Sequence, residues 1–247
     1  MVTGKLQYPS RIINSIKKSN ILKTAAILLI AALSFHCYPE QEKEKDNKKV
    51  LIDLPEVKKT GNVSVEEALT KRRSYRDYRD EELTKEEISQ LLWAAQGKPV
   101  KDHFRKTSPS AGATYPLEVY LITINVNGIE KGYYRYLSDT HQLEKISSHD
   151  LRDDIFDAAL KQLSIKSASA LLLISGVYER TTGKYGERGI RYVYMEAGHT
   201  AQNVYLQGAA LKIGTVVIGA FQDDSINRVL GFGKEESLLY IMPLGKI

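Results

Sequence analysis

The residue types best suited to chemistry fall in four short stretches of the 247-residue chain. Thr107 to Glu118, TSPSAGATYPLE, offers the hydroxyls of Ser108, Ser110 and Thr114. In it Gly112 is free to take backbone conformations closed to other residues, and Pro109 and Pro116 stiffen the path so that amides point in fixed directions. Such a loop is either a cradle for a polar ligand or a rigid turn before a strand, because the same residues dominate turns. Arg72-Arg73-Ser74-Tyr75-Arg76 sets guanidinium groups beside a hydroxyl, an arrangement that grips a phosphate or the polar edge of a heteroaromatic ring. Its alternative is a solvated charged turn, balanced by Asp77, Asp80, Glu81 and Glu82. Gly214 to Phe221, GTVVIGAF, is an apolar strand broken at Gly219, where a backbone comes close to a ligand or simply bulges. Last, Lys184 and Tyr185 sit side by side on a glycine-flanked loop that leads into a helix carrying Glu196, His199, Gln202 and Asn203. Polar residues at that density mark an interface, a site or a satisfied network inside the core.

The elements that must position these residues follow from caps and periodicity. Ser64-Val65-Glu66-Glu67 and Thr84-Lys85-Glu86-Glu87 fit the capping box, predicting helices from Val65 to Lys71 and from Lys85 to a stop at Gly97. Ile88, Leu91, Leu92 and Ala95 give the second an apolar face. Leu117 to Asn125 reads as a buried strand followed by an Asn127-Gly128 turn, with further strands at Tyr133 to Tyr136 and Gln142 to Ile146. Helical spacing covers Asp150 to Gln162, and Ala168 to Tyr178 is a second buried strand. A long helix from Arg188 to Lys212, a strand from Thr215 to Phe221, a short helix from Asp223 to Leu230 and a last strand from Ser237 to Pro243 complete the chain. Helices and strands alternating irregularly around a mostly antiparallel sheet make an α+β fold.

Composition bounds the class. With 43% hydrophobic and 26% charged residues the chain is globular, with length for one domain and an appendage. The net charge of +5 is confined to residues 1–37, which hold five basic residues and no acid; the remainder carries 30 of each sign. The body is therefore formally neutral and does not read as a nucleic-acid binder. Residues 1–37 have the layout of an export signal, a basic region ending at Lys23 and then the apolar run TAAILLIAALSF, too short for a span of about 20 residues. Cys37, the single cysteine, follows it directly, and the charged segment YPEQEKEKDNKK begins a tether over 38–62. The arrangement resembles a bacterial lipoprotein signal in which the cysteine is lipidated; an uncleaved N-terminal anchor, a mis-chosen start codon or an incidental cysteine are the alternatives. The expectation is a membrane-tethered domain at 63–247 on the periplasmic or cell-surface side, cytoplasmic if the leader does not function.

Together RRSYR at Arg72 to Arg76, SPSAGATYPLEVYLI at Ser108 to Ile122, KYGERGIRY at Lys184 to Tyr192, EAGHTAQNVYL at Glu196 to Leu206, GTVVIGAF at Gly214 to Phe221 and LYIMPLGK at Leu239 to Lys246 resemble the nitroreductase superfamily of flavin enzymes. Within it they are most similar to the peptide-azoline dehydrogenase branch typified by SagB and McbC. The resemblance implies a homodimer with FMN at the subunit interface, and with long helices and C-terminal segments exchanged between partners. It implies that Arg72, Ser74 and Arg76, with Arg73 in the same cluster, contact the FMN phosphate, ribityl chain or pyrimidine edge, and that Ser108, Ser110 and the backbone at Gly112 line the flavin. Gly219 and Ala220 fall where backbone amides lie near flavin N5 and O4, and Lys246 falls where a basic residue meets the phosphate; no metal is expected.

Lys184 and Tyr185 correspond to the pair that this branch uses as acid and base in aromatising a thiazoline or oxazoline. A lysine acts as such a base only when burial or a neighbouring cation lowers its pKa, and Arg188 is the nearby cation. The expected activity is thus FMN-dependent hydride transfer from an azoline or related small-molecule or peptide substrate. The alternatives are a nitro- or quinone-reductase with NAD(P)H as donor, and a tethered binding module that keeps the fold without the chemistry.

Overall fold

A computed structural model of the chain describes residues 49–99 and 104–247. The apolar run, Cys37 and the start of the tether lie outside the described residues, and so does the lipoprotein expectation. Among the described residues no helix is long and apolar enough to cross a membrane.

The organising element is a seven-stranded sheet in which every neighbouring pair is antiparallel. Its strands are β1 (Leu51–Asp53), β3 (Leu117–Thr123), β5 (Gly132–Leu137), β6 (Gln142–Ser147), β7 (Ala170–Val177), β8 (Ile213–Thr215) and β9 (Glu236–Lys246), in spatial order β1-β6-β5-β3-β7-β9-β8. A separate parallel pair joins β2 (Leu83–Thr84) to β4 (Val126–Asn127). The helices are α1 (Val65–Lys71), α2 (Lys85–Gln96), α3 (Arg152–Ala158), α4 (Leu163–Lys166), α5 (Glu179–Tyr185), α6 (Arg188–Leu211) and α7 (Asp223–Leu230).

Side chains alternate across a strand, so each central strand feeds two cores. Leu117, Val119 and Leu121 of β3 and Ala170, Leu172 and Ile174 of β7 meet Leu91 and Leu92 of α2 and Val193, Ala197 and Val204 of α6 on one face. Tyr120, Ile122, Leu171 and Leu173 meet Ile155 of α3 and Ile226 of α7 on the other. Burial on both faces is why the ALLLI run of β7 is apolar without interruption.

Several expectations shift. The sheet begins before residue 63: Leu51–Asp53 pairs with β6, and Lys58 exchanges hydrogen bonds with Gln90 of α2 at 2.9 Å in each direction, so the tether is shorter than 38–62. The full capping box forms at α2, where Thr84 and Glu87 satisfy each other's amides; at α1 only Ser64 does so, because Glu67 turns to Lys71. The helix expected over 150–162 stops at Ala158, since Leu160 and Lys161 take positive φ and turn the chain into α4. Regular pairing after Gly214 ends at Thr215, leaving a single bridge from Ile218 to Ile241, because the Val217 amide donates to the Tyr205 hydroxyl (2.9 Å) and not to a strand. Lys184 and Tyr185 are the last two residues of α5, not a loop, with Gly186 at φ 59 ending it.

Candidate cofactor site

The arginine segment runs off the end of α1 along the β8 and β9 edge. The Tyr75 amide donates to Thr215 O, and the Arg79 amide to Lys246 O, both at 2.9 Å. This close approach requires Gly245, where a Cβ would stand 2.5 Å from Tyr78 Cβ. Tyr205 of α6 anchors the segment: its hydroxyl lies 3.0 Å from Ser74 Oγ, and the Arg72 guanidinium sits 5.3 Å from the centre of its ring. Arg73 stacks on Tyr75 at 4.5 Å. Residues 73–79 and Ile247 line a cleft of about 570 Å³. In it Arg73, Arg76 and Arg79 outnumber the carboxylate of Asp77, and among the described residues only Arg79 of the three has an ion-pair partner, Glu81. Uncompensated guanidiniums beside a hydroxyl fit a phosphate monoester.

Lys246 is not part of this cluster. Its ammonium is paired with Glu87, the capping-box residue of α2, and both side chains are largely covered. The end of β9 lies beside the start of α2, so the charge expected to meet a phosphate is already neutralised within the chain. Gly219 and Ala220 are exposed beyond the Ile218 bridge, and Ala220 O accepts from Gln162 at 3.0 Å. A Cβ on Gly219 would meet nothing closer than 3.5 Å, so the protein's own packing does not demand glycine there.

The hydroxyl loop divides its residues between inside and outside. Ser108 is 0% exposed and fully used: it donates to Ala95 O (2.8 Å) and accepts from Thr200 Oγ1 (3.0 Å) and Asn203 Nδ2 (3.1 Å). Contrary to expectation it faces the interior, because the open C-terminal carbonyls of α2 need donors and Ser108 supplies one. Ser110, half-buried, accepts from the Tyr115 amide at 2.9 Å. Between them and β3 the chain makes a 3-10 turn at Ala111–Ala113 with positive φ at Gly112, Ala113 and Tyr115.

That turn meets α5 at three points. Thr114 and Thr181 share a hydrogen bond of 2.8 Å. Arg180 donates to Tyr115 O (3.2 Å) and pairs with Glu118 (2.6 Å). Lys184 Nζ donates to Gly112 O at 3.2 Å, and a Cβ on Gly112 would stand 2.7 Å from that nitrogen and would also strike the Tyr185 hydroxyl. Glycine is favoured here by its φ of 60°, while a Cβ would displace the ends of the Lys184 and Tyr185 side chains. Tyr185 is held edge-on by Tyr192 of α6, with ring centres 5.2 Å apart. The structure therefore brings Lys184, Tyr185, Gly112 and Ser110 to one place, although residues 112 and 184 are 72 apart in sequence.

Beneath the loop lies Glu196 of α6, only 3% exposed. Burial pushes its carboxyl up to about 7, against hydrogen bonds from Ser110 and Gln96 and the charge of Lys106. Burial likewise lowers the pKa of the Lys106 ammonium, which lies 5.3 Å from the centre of the Tyr115 ring. In the sequence Glu196 is one of several polar residues on a helix, and Tyr205, Lys106 and Thr181 do not stand out as site residues. The tyrosine carried no local signal, since its partners lie on other elements.

The arginine cleft and the Lys184 group occupy different parts of the chain. Tyr205 anchors the first and Tyr192 the second, thirteen residues apart on α6 or about 20 Å at 1.5 Å per residue.

Comparison with known proteins is consistent along the chain. Residues 69–246 match the Nitroreductase family. A Methanocaldococcus jannaschii protein that carries the nitroreductase name is 46% identical over 195 residues, covering 79% of this chain and 96% of that protein. The microcin B17-processing protein McbC of Escherichia coli is 26% identical over 153 residues, 58% of this chain, which spans about half of McbC (54%). Among crystal structures, a nitroreductase-type protein of Ralstonia eutropha superposes with a TM-score of 0.69 at 25% identity, covering 79% of this chain and 89% of that one. On sequence and fold alike, this chain belongs to the nitroreductase family.

Proposed function

We propose that the protein is an FMN-dependent oxidoreductase that works as a homodimer and dehydrogenates an azoline or related ring in a small-molecule or peptide substrate. The observation that carries this reading is the contact of Lys184 with Gly112 O, which seats the Lys184-Tyr185 pair on the loop that the family resemblance assigns to the flavin. FMN, when bound, supplies a two-electron acceptor. Arg73, Ser74 and Arg76 of the cleft, with Arg72 beside them on Tyr205, hold its phosphate end, and Ser110 with the Gly112 backbone lines its ring end. The separation of these two groups along α6 supports a site completed by a second copy, each protomer giving its arginines to one cofactor and its loop to the other.

Lys184 takes the proton that leaves the substrate ring, and the Tyr185 hydroxyl, steadied by Tyr192, orients the ring. The likeness to McbC, named for processing microcin B17, supports a peptide substrate. The test is reconstitution. The protein titrated with FMN is expected to turn yellow, retain one FMN per subunit through gel filtration and elute as a dimer; a colourless protein after titration would remove the enzyme reading and leave a binding module. Arg76→Ala is expected to weaken FMN affinity about ten- to a hundredfold, the loss of one charge-assisted hydrogen bond. Unchanged affinity by fluorescence titration would remove Arg76 from the site.

A further inference from the structure

Glu196 is a buried acid that the dehydrogenase reading leaves without a task. Among the described residues its Oε1 has no hydrogen-bond partner, and neither has Oε1 of Gln96, which is 2% exposed. Both side chains are otherwise engaged: Ser110 and Gln96 reach the carboxyl of Glu196. From Gln96 a directed chain runs on, Nε2 to Thr200 Oγ1 (3.2 Å), Thr200 to Ser108 Oγ (3.0 Å) and Ser108 to Ala95 O (2.8 Å). Every hydroxyl proton in that chain is spent in one direction, so none is left for the two orphaned oxygens. Two buried acceptors with no donor, on side chains that hydrogen-bond to each other, are costly, and a carboxylate would add an unpaired charge to the cost. One proton supplies the missing donor.

We propose that Glu196 is a positioning residue that acts in its protonated form, its carboxyl O–H completing the network that fixes Ser110 directly and Ser108 through Gln96 and Thr200. The ligand-holding shape of the loop then depends on a single buried proton. Burial raises the carboxyl in agreement with this, and among the described residues three groups act on it. Lys106 of the segment before the loop is the charge that acts on it, α2 presents the neutral Gln96, and the loop presents the neutral Ser110. The sign is definite. A carboxyl at about 7 in the folded chain, against its ordinary 4.5, gives stability that is whole below pH 4.5 and is lost as pH rises to about 7, with no further change above.

The experiment follows the carboxyl itself, by infrared difference spectroscopy or by NMR of carboxyl-labelled glutamate, in the full chain and in Glu196→Gln. The wild type is expected to show at pH 6 a protonated-carboxyl signal that titrates near pH 7 and is missing from the Gln variant. Ser110→Ala, which removes a hydrogen bond opposing protonation, is expected to move that titration upward, and this arm holds even if the Gln variant fails to fold. No such signal, or one titrating near 4.5 and unmoved by Ser110→Ala, would overturn the proposal. The consequence for cofactor binding rests on the FMN reading, and the carboxyl signal does not. FMN affinity of the wild type is expected to fall by up to about tenfold per pH unit above 7, while Glu196→Gln, which keeps a donor at that atom, stays flat. Identical pH profiles in the two proteins would overturn the role in the loop, whereas a clear carboxyl titration without any FMN binding would count against the FMN reading alone.

Discussion

Lys184→Met is expected to bind FMN as the wild type does, within about twofold, and to oxidise substrate about 10² to 10⁴ times more slowly, the span that a positioned general base contributes. The substitution keeps the length of the side chain and removes its nitrogen. Lys184 is exposed and, among the described residues, makes one hydrogen bond, to Gly112 O, so its loss leaves no buried group unsatisfied and the fold intact. None of the arginine segment touches it, which is why cofactor affinity should be spared. The measurement is single-turnover bleaching of bound flavin by an azoline-containing substrate, with FMN content determined on the same preparations. A change in kcat at constant KM assigns the nitrogen to the proton transfer. Equal bleaching rates would return Lys184 to the protein surface.

Ser108→Ala is expected to act on stability and only through it on function. The hydroxyl joins α2, the loop and α6 in one buried node, and its removal strands Thr200 Oγ1, Asn203 Nδ2 and Ala95 O without their shared partner. Asn203 keeps a weaker alternative in Thr107 O at 3.3 Å. At about 1 to 3 kcal/mol for a buried group left unsatisfied, a total loss of about 3 kcal/mol follows, or roughly 6 to 12 °C in Tm for a domain of this size. Thermal melts of the FMN-free protein read this directly. A shift below about 2 °C would mean that the node contributes little and that Ser108 is free to serve a ligand, as its position in the sequence first suggested.

The parts of the fold legible in the sequence are those whose causes are local. Ser64 and Thr84 announce the starts of α1 and α2, Gly97 marks the end of α2, and the apolar run of β7 announces a strand buried on both faces. The edge strand Leu51–Asp53 was hidden in a charged segment because it is held from far away, by β6 and by the hydrogen bonds of Lys58 to Gln90. In the site, the loop and the Lys184-Tyr185 pair were each recognisable by residue type and by family likeness. Their meeting was not, since it depends on α5 packing against a turn 72 residues earlier. Ser108 and Lys246 misled for the same reason. The sequence shows a hydroxyl and a cation where ligands are held, while their actual partners, Ala95 O and Glu87, lie on α2, in the case of Lys246 at a distance of 159 residues.

The direction of electron flow tests the proposed dehydrogenase most directly. FMN-loaded protein, mixed anaerobically in a stopped-flow instrument, is exposed in turn to an azoline-containing peptide, NADH and NADPH, and the yellow absorbance is followed. The expected result is bleaching by the azoline peptide with formation of the azole, and slow or no bleaching by either nicotinamide. Rapid bleaching by NADH or NADPH, with none by the azoline peptide, would contradict it and make the protein a nitro- or quinone-reductase of the same family.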